Sequence, residues 1–449
     1  MILKDKLFAA GVVGCGGAGF PTHVKLSGEI EHLIINGAEC EPLLRTDRYI
    51  MTNFASELVR TAEAVRQEIS ADKCTFGLKS GYKKEIAALK EQISENGLAD
   101  RIFIHTMDSF YPAGDEQTLV REVTGKTVPP AGIPLDVGCA VTNAATLLCI
   151  SDALKDIPFT DKFLTVTGEV NHPTVLKVPI GTSFYDCLSL AGGVKCDDYI
   201  CVSGGPMMGR IIEKADLDKE FVTKTTSGIL VLRNDGYIAN HNRISVKHML
   251  NRAHSACIQC SYCTQMCPRH LMGHPLEPHK IMRKTALCAD INGLLSDPDI
   301  KNALLCCECG ICETYACPMD LQPRKINSML KKALGEAGIR YPKGEGMGDE
   351  SPSRELRKVP SKKAAVRAGV VDYYDYEITE LICAEPSEVY ENLRQHIGAQ
   401  SEPLIRDGER VTKGQLIAKC PDGKLGANLH ASIDGVASVH GCAIRIVKA

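Results

Sequence analysis

CIQCSYCTQMCP, residues 257–268, places four cysteines at spacings of three, three and four residues and ends in a proline. A second stretch, CCECGICETYACP at residues 306–318, nearly repeats it.

The chain begins MILKDKLFAAGVVGCGG, without the apolar core of a signal peptide, so we predict a cytoplasmic protein. Twenty-one cysteines in a cytoplasmic chain of 449 residues indicate metal and redox chemistry rather than disulfides.

The first stretch fits the C-x2-C-x2-C-x3-C-P run of bacterial ferredoxins, in which thiolates bind a [4Fe-4S] cluster. Because the fourth cysteine of each run ligates the other cluster in two-cluster ferredoxins, we predict two clusters with crossed ligation. The two predicted ligand sets are Cys257, Cys260, Cys263 and Cys317, and Cys306, Cys309, Cys312 and Cys267. The second run has one extra residue before Cys317, and Cys307 is a surplus thiol, so local ligation stays open. The alternative is a different kind of metal site, a structural zinc site.

A glycine-rich stretch lies near the amino end, GVVGCGGAGFPTHVKL at residues 11–26. Gly14, Gly16 and Gly19 satisfy G-x-G-x-x-G, and Glu39 follows twenty residues later, as in dinucleotide-binding motifs. The context differs, because Pro21 interrupts the expected helix and the clear strand, HLIING at 32–37, comes after the glycines. We predict a loop whose backbone amides approach a phosphate closely, with a simple glycine-rich turn as the alternative.

Three further motifs carry charged or amide side chains. NGAECEPLLRTDR at 36–48 follows the clear strand directly, at the end where open α/β sheets bind ligands. YPAGDEQTLVREVTG at 111–125 is a second acidic turn, and VTNAATLL at 141–148 places an Asn-Thr pair before a helix of small residues. These positions indicate a ligand site at the carboxyl edge of a sheet.

Together, GCGGAGFPTHVKL, NGAECEP, YPAGDEQTL and TNAATL resemble the flavin-binding subunit of respiratory NADH dehydrogenase and its relatives. Those relatives include the C subunit of the Rnf complex and the cobalamin reductases of propanediol-utilisation microcompartments. The resemblance implies a non-covalent FMN, and NADH as electron donor beside Glu39 and Glu41 as catalytic residues. The implied FMN-binding residues are Gly16, Gly17, Gly19, Lys25, Asn36, Gly114, Glu116, Asn143 and Thr146. The respiratory form has an acidic residue where Ala38 stands and a glutamate where Asp115 stands, so the nicotinamide contacts stay open.

The sequence predicts an α/β multidomain protein. Residues 163–194 alternate apolar residues with turn signals and resemble the SLBB β-grasp domain of the same family. The chain after about residue 381 resembles a lipoyl-like barrel-sandwich hybrid domain. The predicted units are a Rossmann-like FMN/NADH-binding domain at 1–155, the β-grasp domain at 160–240, an α-helical two-[4Fe-4S] ferredoxin-like domain at 245–335, a solvated linker at 341–375 and the hybrid domain at 381–449.

The order of these units bears on function. Rnf C subunits begin with the hybrid domain, whereas here it comes last, which favours the cobalamin-reductase branch. Its exposed hairpin, Ile433-Asp434-Gly435, lacks the lysine that carries lipoyl or biotin, so we expect no swinging arm. NADH delivers two electrons at once, whereas an iron-sulfur cluster accepts one. A flavin between them is therefore needed to convert two-electron transfer into one-electron transfer.

We therefore predict an NADH-dependent oxidoreductase that reduces a corrinoid or a corrinoid-handling protein in a microcompartment. The alternatives are an Rnf-type subunit, a proline-reductase-associated electron-transfer protein, and an iron-sulfur scaffold that binds no nucleotide. A net charge of -3 argues against a nucleic-acid partner, and no window of 18 apolar residues predicts a transmembrane segment. The sequence does not decide whether the protein contacts shell proteins or forms homo-oligomers, nor which molecule is the final electron acceptor.

Overall fold

The computed structural model describes residues 3–288 and 292–448 of the chain. Its amino-terminal domain is built on four parallel strands, in the spatial order Ile102–Met107, Lys73–Lys79, His32–Asn36 and Cys139–Asn143. The elements are α1 Leu3–Ala9, α2 Thr22–Lys25, β1 His32–Asn36, α3 Thr46–Asn53, α4 Ala55–Glu68, β2 Lys73–Lys79, α5 Lys83–Glu95, β3 Ile102–Met107, β4 Phe110–Tyr111, α6 Glu116–Thr124, β5 Cys139–Asn143 and α7 Ala144–Leu154, with a 3-10 turn at Pro134–Val137.

Strand β1 shows why this sheet forms. Successive side chains of a strand point to opposite faces, so Leu33 and Ile35 enter the apolar core on one side and Ile34 enters the core on the other. A strand that is buried on both faces reads as the continuous apolar run found here. From β1 the chain builds β2 and β3 on one side and later returns to add β5 on the other. The carboxyl ends of β1 and β5 therefore flank a topological switch point, where open α/β sheets bind ligands.

A six-stranded sheet forms the second domain, in the order Leu381–Cys383, Thr174–Pro179, Asp161–Gly168, Gly228–Arg233, Tyr199–Ser203 and Arg210–Glu213. Its elements are β6 Asp161–Gly168, β7 Thr174–Pro179, α8 Phe184–Leu190, β8 Tyr199–Ser203, β9 Arg210–Glu213, β10 Gly228–Arg233 and α9 Tyr237–Asn242, with a 3-10 helix at Lys214–Lys219. Phe184 and Leu188 on α8 pack on one face of the sheet. Helix α8 on one face of this mixed sheet is the β-grasp arrangement that the sequence predicts.

Short helices form the cysteine-rich domain. They are α10 Val246–Ala256, α11 Tyr262–Gln265, α12 Pro268–Leu271, α13 Pro278–Ala286, α14 Pro298–Lys301 and α15 Pro323–Glu336, with 3-10 turns at Asn292–Leu294 and Asn302–Leu305 and a π-helical turn at Ile311–Tyr315. Helices α12 to α15 each begin with proline, whose fixed φ and missing N–H suit the first helical position. The cysteines lie mostly in the loops between these helices.

The segment 341–375 differs from the solvated linker that its composition predicts. It contains a 3-10 turn at Glu355–Arg357, strand β11 Val359–Pro360, helix α16 Ser361–Arg367 and a 3-10 turn at Val371–Tyr373. Strand β11 pairs with β4 of the amino-terminal domain, and Val359, Ala364 and Ala365 are buried in one core with Tyr111. A few small apolar residues anchor this part of the segment, although its overall composition is polar.

The carboxyl-terminal unit is all β. Its elements are β12 Leu381–Cys383, β13 Glu388–Asn392, β14 Glu402–Pro403, β15 Glu409–Val411, β16 Leu416–Lys419, β17 Leu429–His430, β18 Gly435–His440 and β19 Ala443–Val447. Strand β12 joins the β-grasp sheet, and the others form two sheets, β13-β19-β18-β15 and β14-β16-β17, around a small core. This unit contacts the glycine-rich loop, because the Ile397 amide donates to the Ala18 carbonyl at 2.8 Å.

Candidate functional site

The glycine-rich loop projects from a closed base. Val13 and Pro21 pair as an antiparallel bridge, and the Gly14 amide donates to the Phe20 carbonyl at 3.0 Å. At the tip, a Cβ added to Gly16 or Gly17 would meet no atom within 4 Å. Among the residues that the structure describes, the backbone amides of these two glycines have no hydrogen-bond acceptor. Two free amides beside open space are what an anionic phosphate group requires of such a loop.

Gly19 has a different role from its neighbours. Its φ of +65° lies in the left-handed region, and a Cβ there would come within 2.6 Å of Thr225 Cγ2 and 3.2 Å of His396 Cβ. Only glycine fits at this position, because the loop packs closely against the second and last domains. Its predicted contact with FMN stays a prediction.

The structure brings Asn36 and Asn143 together at the switch point. They are register partners at the carboxyl ends of β1 and β5. The Asn36 side-chain amide donates to the Gly114 carbonyl at 2.8 Å, which places the acidic turn at the same edge. The Asn143 side chain caps α7 by accepting from the amides of Ala145 and Thr146, at 2.9 and 3.3 Å.

Two further contacts complete this edge. The Thr146 hydroxyl accepts a hydrogen bond of 2.9 Å from the backbone amide of Cys15, which ties helix α7 to the glycine-rich loop. Lys25 on α2 forms an ion pair with Glu116 on α6. All nine residues predicted to bind FMN therefore lie on the glycine-rich loop, the acidic turn, the strand ends or the helices that surround one edge of the sheet.

Glu39 points inward at this edge. Its carboxylate accepts from the amides of Asp47 and Arg48, at 2.9 and 3.3 Å, in the first turn of α3. Burial, and then the nearby Asp47 carboxylate, raise the pKa of Glu39 to about 7. Asp47 in turn accepts a hydrogen bond of 2.6 Å from the Asn143 side chain, so Glu39 is two contacts away from the switch point.

Glu41 lies apart from Glu39, where the first three domains meet. Its carboxylate accepts from the Met207 amide at 2.8 Å and from the Tyr111 hydroxyl at 3.3 Å. Burial raises its pKa to about 7. The predicted role beside NADH stays a prediction for both glutamates, and only Glu39 is connected by hydrogen bonds to the switch point.

The eight predicted ligand cysteines line two cavities in the crossed combination. One cavity is lined by Cys257, Cys260, Cys263 and Cys317, and the other by Cys267, Cys306, Cys307, Cys309 and Cys312. Nowhere in residues 3–288 and 292–448 do three His, Cys, Asp or Glu side chains converge as a site for one metal ion. Thiols spread around a void fit a cluster better than they fit a tetrahedral zinc ion.

Other groups around the cavities suit bound sulfur atoms. The amides of Glu308 and Leu321 point at the sulfurs of Cys306 and Cys317, each at 3.4 Å. Asn327 lines the second cavity, is 1% exposed, and its side-chain amide faces the Cys306 sulfur. Such donors stabilise negative charge on thiolates or sulfides and tune the potential of a cluster.

Two contacts join the second cavity to the amino-terminal domain. The Tyr111 hydroxyl donates to the Cys309 carbonyl at 2.8 Å in a buried position. Arg269, which follows the first cysteine run, binds both carboxylate oxygens of Asp115, at 2.7 and 2.8 Å. Sequence reasoning did not identify Arg269, because its position after Cys267-Pro268 gives no signal of a partner 154 residues away.

Four family models match successive or separate stretches of the chain. A model described as the Nuo51 FMN-binding domain matches residues 7–152, and one described as the SLBB domain matches 163–211. Models of a 4Fe-4S dicluster domain and of the RnfC barrel sandwich hybrid domain match 256–322 and 376–445. The predicted α/β multidomain fold class is confirmed.

Some relatives align with nearly the whole chain. A protein named cobalamin reductase PduS from Salmonella typhimurium strain LT2 is 40% identical, over 99% of this chain and 96% of its own length. The chain belongs to the PduS family. The Citrobacter freundii PduS is 39% identical over 97% of this chain and 94% of its own. The family and its domains confirm the prediction of an electron-transport oxidoreductase.

More distant relatives match less of the chain. The C subunit of a proton-translocating ferredoxin:NAD(+) oxidoreductase complex from Clostridium ljungdahlii is 34% identical, over 58% of this chain and 54% of its own length. Among solved structures, an NAD+-reducing [NiFe]-hydrogenase in the H2-reduced state matches with a TM-score of 0.49 and 20% identity, over 76% of this chain and 62% of that one. Of the helices in the described residues, none is both long and apolar enough to cross a membrane.

Proposed function

We propose that this protein is a cobalamin reductase that takes electrons from NADH and passes them through FMN and two [4Fe-4S] clusters to a corrinoid. The PduS relatives bear the name cobalamin reductase and align with nearly the whole chain. The observation that carries the proposal is the 2.8 Å hydrogen bond from Tyr111 to the Cys309 carbonyl. It puts the predicted flavin domain in direct contact with a cysteine-lined cavity, as electron transfer within one chain requires.

The residues at the carboxyl edge fit FMN. When it is bound, FMN accepts two electrons together and releases them singly. The free amides of Gly16 and Gly17 would hold its phosphate. Asn36 and Asn143 already hold backbone groups at the edge, so their main contribution is to fix the shape of the crevice between β1 and β5. Lys25, neutralised by Glu116, adds little net positive charge.

The cysteine cavities fit clusters by their donor sets. Cys257, Cys260, Cys263 and Cys317 would hold one cluster, and Cys267, Cys306, Cys309 and Cys312 the other. Cys307 also lines the second cavity, so it is the surplus thiol there. By the family resemblance, we place the reaction inside a cytoplasmic microcompartment, with shell proteins as further partners.

Removing the clusters tests the proposed order of transfer. Cys260→Ser combined with Cys309→Ser should remove both clusters, spare NADH-driven reduction of an artificial dye, and abolish NADH-driven reduction of a cobalamin. The matched control is Cys187→Ser with Cys201→Ser, because these thiols are buried in the β-grasp core away from both cavities. Cobalamin reduction at the wild-type rate in the cluster-free protein would contradict the relay.

Flavin binding is tested separately. The alternative scaffold without nucleotide predicts that purified, iron-replete protein contains no FMN and does not oxidise NADH. We expect stoichiometric FMN, released on acid denaturation and quantified by its fluorescence. Protein that holds both clusters, yet neither retains added FMN nor oxidises NADH, would favour the scaffold.

A further inference from the structure

Two cysteines that belong to neither cluster cavity meet at the base of the glycine-rich loop. The sulfur atoms of Cys15 and Cys149 are 3.6 Å apart, although the residues are 134 positions apart in sequence. Cys15 lies between Gly14 and Gly16 and is 4% exposed, while Cys149 on α7 is partly exposed. The proposed electron path uses neither sulfur.

The backbone of Cys15 is fixed on both sides. Its amide donates to the Thr146 hydroxyl at 2.9 Å, and its carbonyl accepts from the Lys162 ammonium at 2.6 Å. Lys162 is only 2% exposed, so its charge is close to the sulfur pair and poorly screened by water. The contacts hold the Cys15 side chain against Cys149 within a positively charged setting, where reactive cysteines are found.

The electrostatics favour a thiolate at Cys15 and a thiol at Cys149. The hydrogen bond with Cys149 lowers the pKa of Cys15 to about 6, although burial opposes this, and the Lys162 charge adds to the lowering. The same hydrogen bond and burial raise the pKa of Cys149 well above its usual range. Asp47 and Lys224 also face this pair, with opposite charges.

We propose that Cys15 and Cys149 form a reversible disulfide when the protein meets a hydroperoxide, with Cys15 as the attacking sulfur and Cys149 as the resolving one. The Cys15 thiolate attacks a peroxide oxygen, the O–O bond breaks, and the leaving oxygen takes a proton to become water or an alcohol. Cys149 then attacks the sulfenic sulfur of Cys15, the S–S bond forms, and the S–O bond breaks to release water. Two thiols are oxidised for each hydroperoxide reduced.

Little movement is needed for this bond. The sulfurs must close from 3.6 Å to the disulfide length of about 2.05 Å. The bond would tie the glycine-rich loop covalently to α7, beside Gly16, Gly17 and Thr146. Its formation depends only on the two thiols and their surroundings, so it stands or falls independently of the proposed cobalamin reduction.

Peptide mapping of the whole, reduced and reconstituted protein tests the proposal. After equimolar hydrogen peroxide and alkylation of remaining thiols, we expect a peptide pair linked through Cys15 and Cys149 that dithiothreitol separates. Cys383 and Cys442 are exposed and report that oxidant was delivered. Burial raises the pKa of Cys74 well above its usual range, so this cysteine stays a thiol and should remain reduced. Oxidation at Cys383 and Cys442 with Cys15 and Cys149 both still free would overturn the proposal.

Two variants assign the roles of the sulfurs. Cys149→Ser should leave a sulfenic acid on Cys15 that dimedone traps, because the resolving thiol is gone. Cys15→Ser should give no dimedone adduct at Cys149 and no linked pair. If the adduct instead forms on Cys149 in the Cys15→Ser variant, the assigned roles are wrong, and the wild-type mapping still decides whether the pair forms.

Discussion

Arg269 and Asp115 form a bidentate ion pair, at 2.7 and 2.8 Å, between the cysteine-rich domain and the acidic turn of the amino-terminal domain. The side chains are only 8% and 16% exposed, so both charges are largely removed from water. Burial alone would raise the pKa of Asp115, but the Arg269 guanidinium and the Thr118 donors outweigh it and hold the pKa below its usual value. The pair fixes the second cysteine cavity against the predicted flavin edge.

Asp115→Asn should weaken this junction strongly. Removing one partner leaves the Arg269 charge buried without compensation, which typically costs about 3–5 kcal/mol. Denaturation of the reconstituted protein, followed by the loss of cluster absorbance, measures the effect. Asp100→Asn is the control, because that carboxylate pairs with Arg101 on the surface, where solvent screens the interaction and the pair adds little to stability. Equal, small effects of both substitutions would show that the junction does not depend on the pair.

The cavity linings predict which cluster each fourth cysteine serves. Cys267→Ala should disturb the cluster held by Cys306, Cys309 and Cys312, because Cys267 lines their cavity. Cys317→Ala should disturb the other cluster. EPR spectra of the reduced proteins, with iron and sulfide analysis, show which of the two clusters each variant has lost. Wild-type protein should contain about eight iron and eight sulfide, as two [4Fe-4S] clusters require. Loss of the first cluster's signal in Cys267→Ala would support local ligation instead.

The sequence predicts those parts of the molecule in which a local pattern decides the structure. The run of apolar residues at 33–35 identifies β1, and the motifs that follow β1 and β5 meet because the carboxyl ends of parallel strands share an edge. Cysteine spacing likewise predicts the two sets that line the cavities. In each case a short local pattern identifies the residues, and a general rule for parallel sheets or for two-cluster ferredoxins predicts which of them meet.

Contacts between distant stretches were not predictable in this way. Strand β11 has two residues, Val359 and Pro360, which is too short for any periodicity, and its pairing with β4 depends on tertiary packing. The same holds for β12, which joins the β-grasp sheet rather than the unit that follows it. The Cys15 and Cys149 contact also has no signature, since the residues are 134 positions apart and lie in unrelated motifs.

Gly16→Val should lower FMN content without removing the clusters. A branched side chain would fill the open space at the loop tip, yet its Cβ would meet no protein atom within 4 Å, so the fold itself should tolerate it. Gly17→Val should act in the same direction, with added strain because Gly17 has a φ of +59°. FMN and iron analysis of the purified proteins measures both effects.

Gly97→Val controls for that strain. Gly97 has a φ of +64° and equally open surroundings, but it follows α5 away from the loop. FMN content should therefore stay unchanged in this variant. Unaltered FMN occupancy in Gly16→Val and Gly17→Val would remove the loop tip from the site.

Glu39 and Glu41 should differ in their effect on NADH oxidation. We expect the double Gln variant to weaken NADH-driven dye reduction while FMN stays bound, because charge is lost with little change in volume. Of the single variants, Glu39→Gln should carry most of the loss, since Glu39 is linked through Asp47 to Asn143 at the switch point. Steady-state kcat and KM for NADH measure this, and a larger loss in Glu41→Gln would reverse the assignment.

The raised pKa of Glu39 also predicts how stability changes with pH. Its pKa is about 7 in the folded protein, against about 4.3 in an unfolded chain. Between these values the folded chain retains a proton that the unfolded chain has lost, so the free energy of unfolding falls as the pH rises through this window. Below about pH 4.3 both states are protonated, and above about pH 7 both are ionised, so the dependence levels off at each end.

Glu39→Gln should flatten this fall between about pH 4.3 and 7, because the amide does not titrate and its oxygen can still accept from the Asp47 amide. Asp47 and Glu41, whose pKa values burial raises to about 6 and about 7, should preserve part of the slope. Denaturant unfolding across the window measures it, with Glu91→Gln on the exposed face of α5 as the control for replacing a carboxylate by an amide. A slope in Glu39→Gln identical to that of the wild type would mean that Glu39 is already ionised in the folded protein at pH 5, and that the amides of Asp47 and Arg48 stabilise its charge more than burial opposes it.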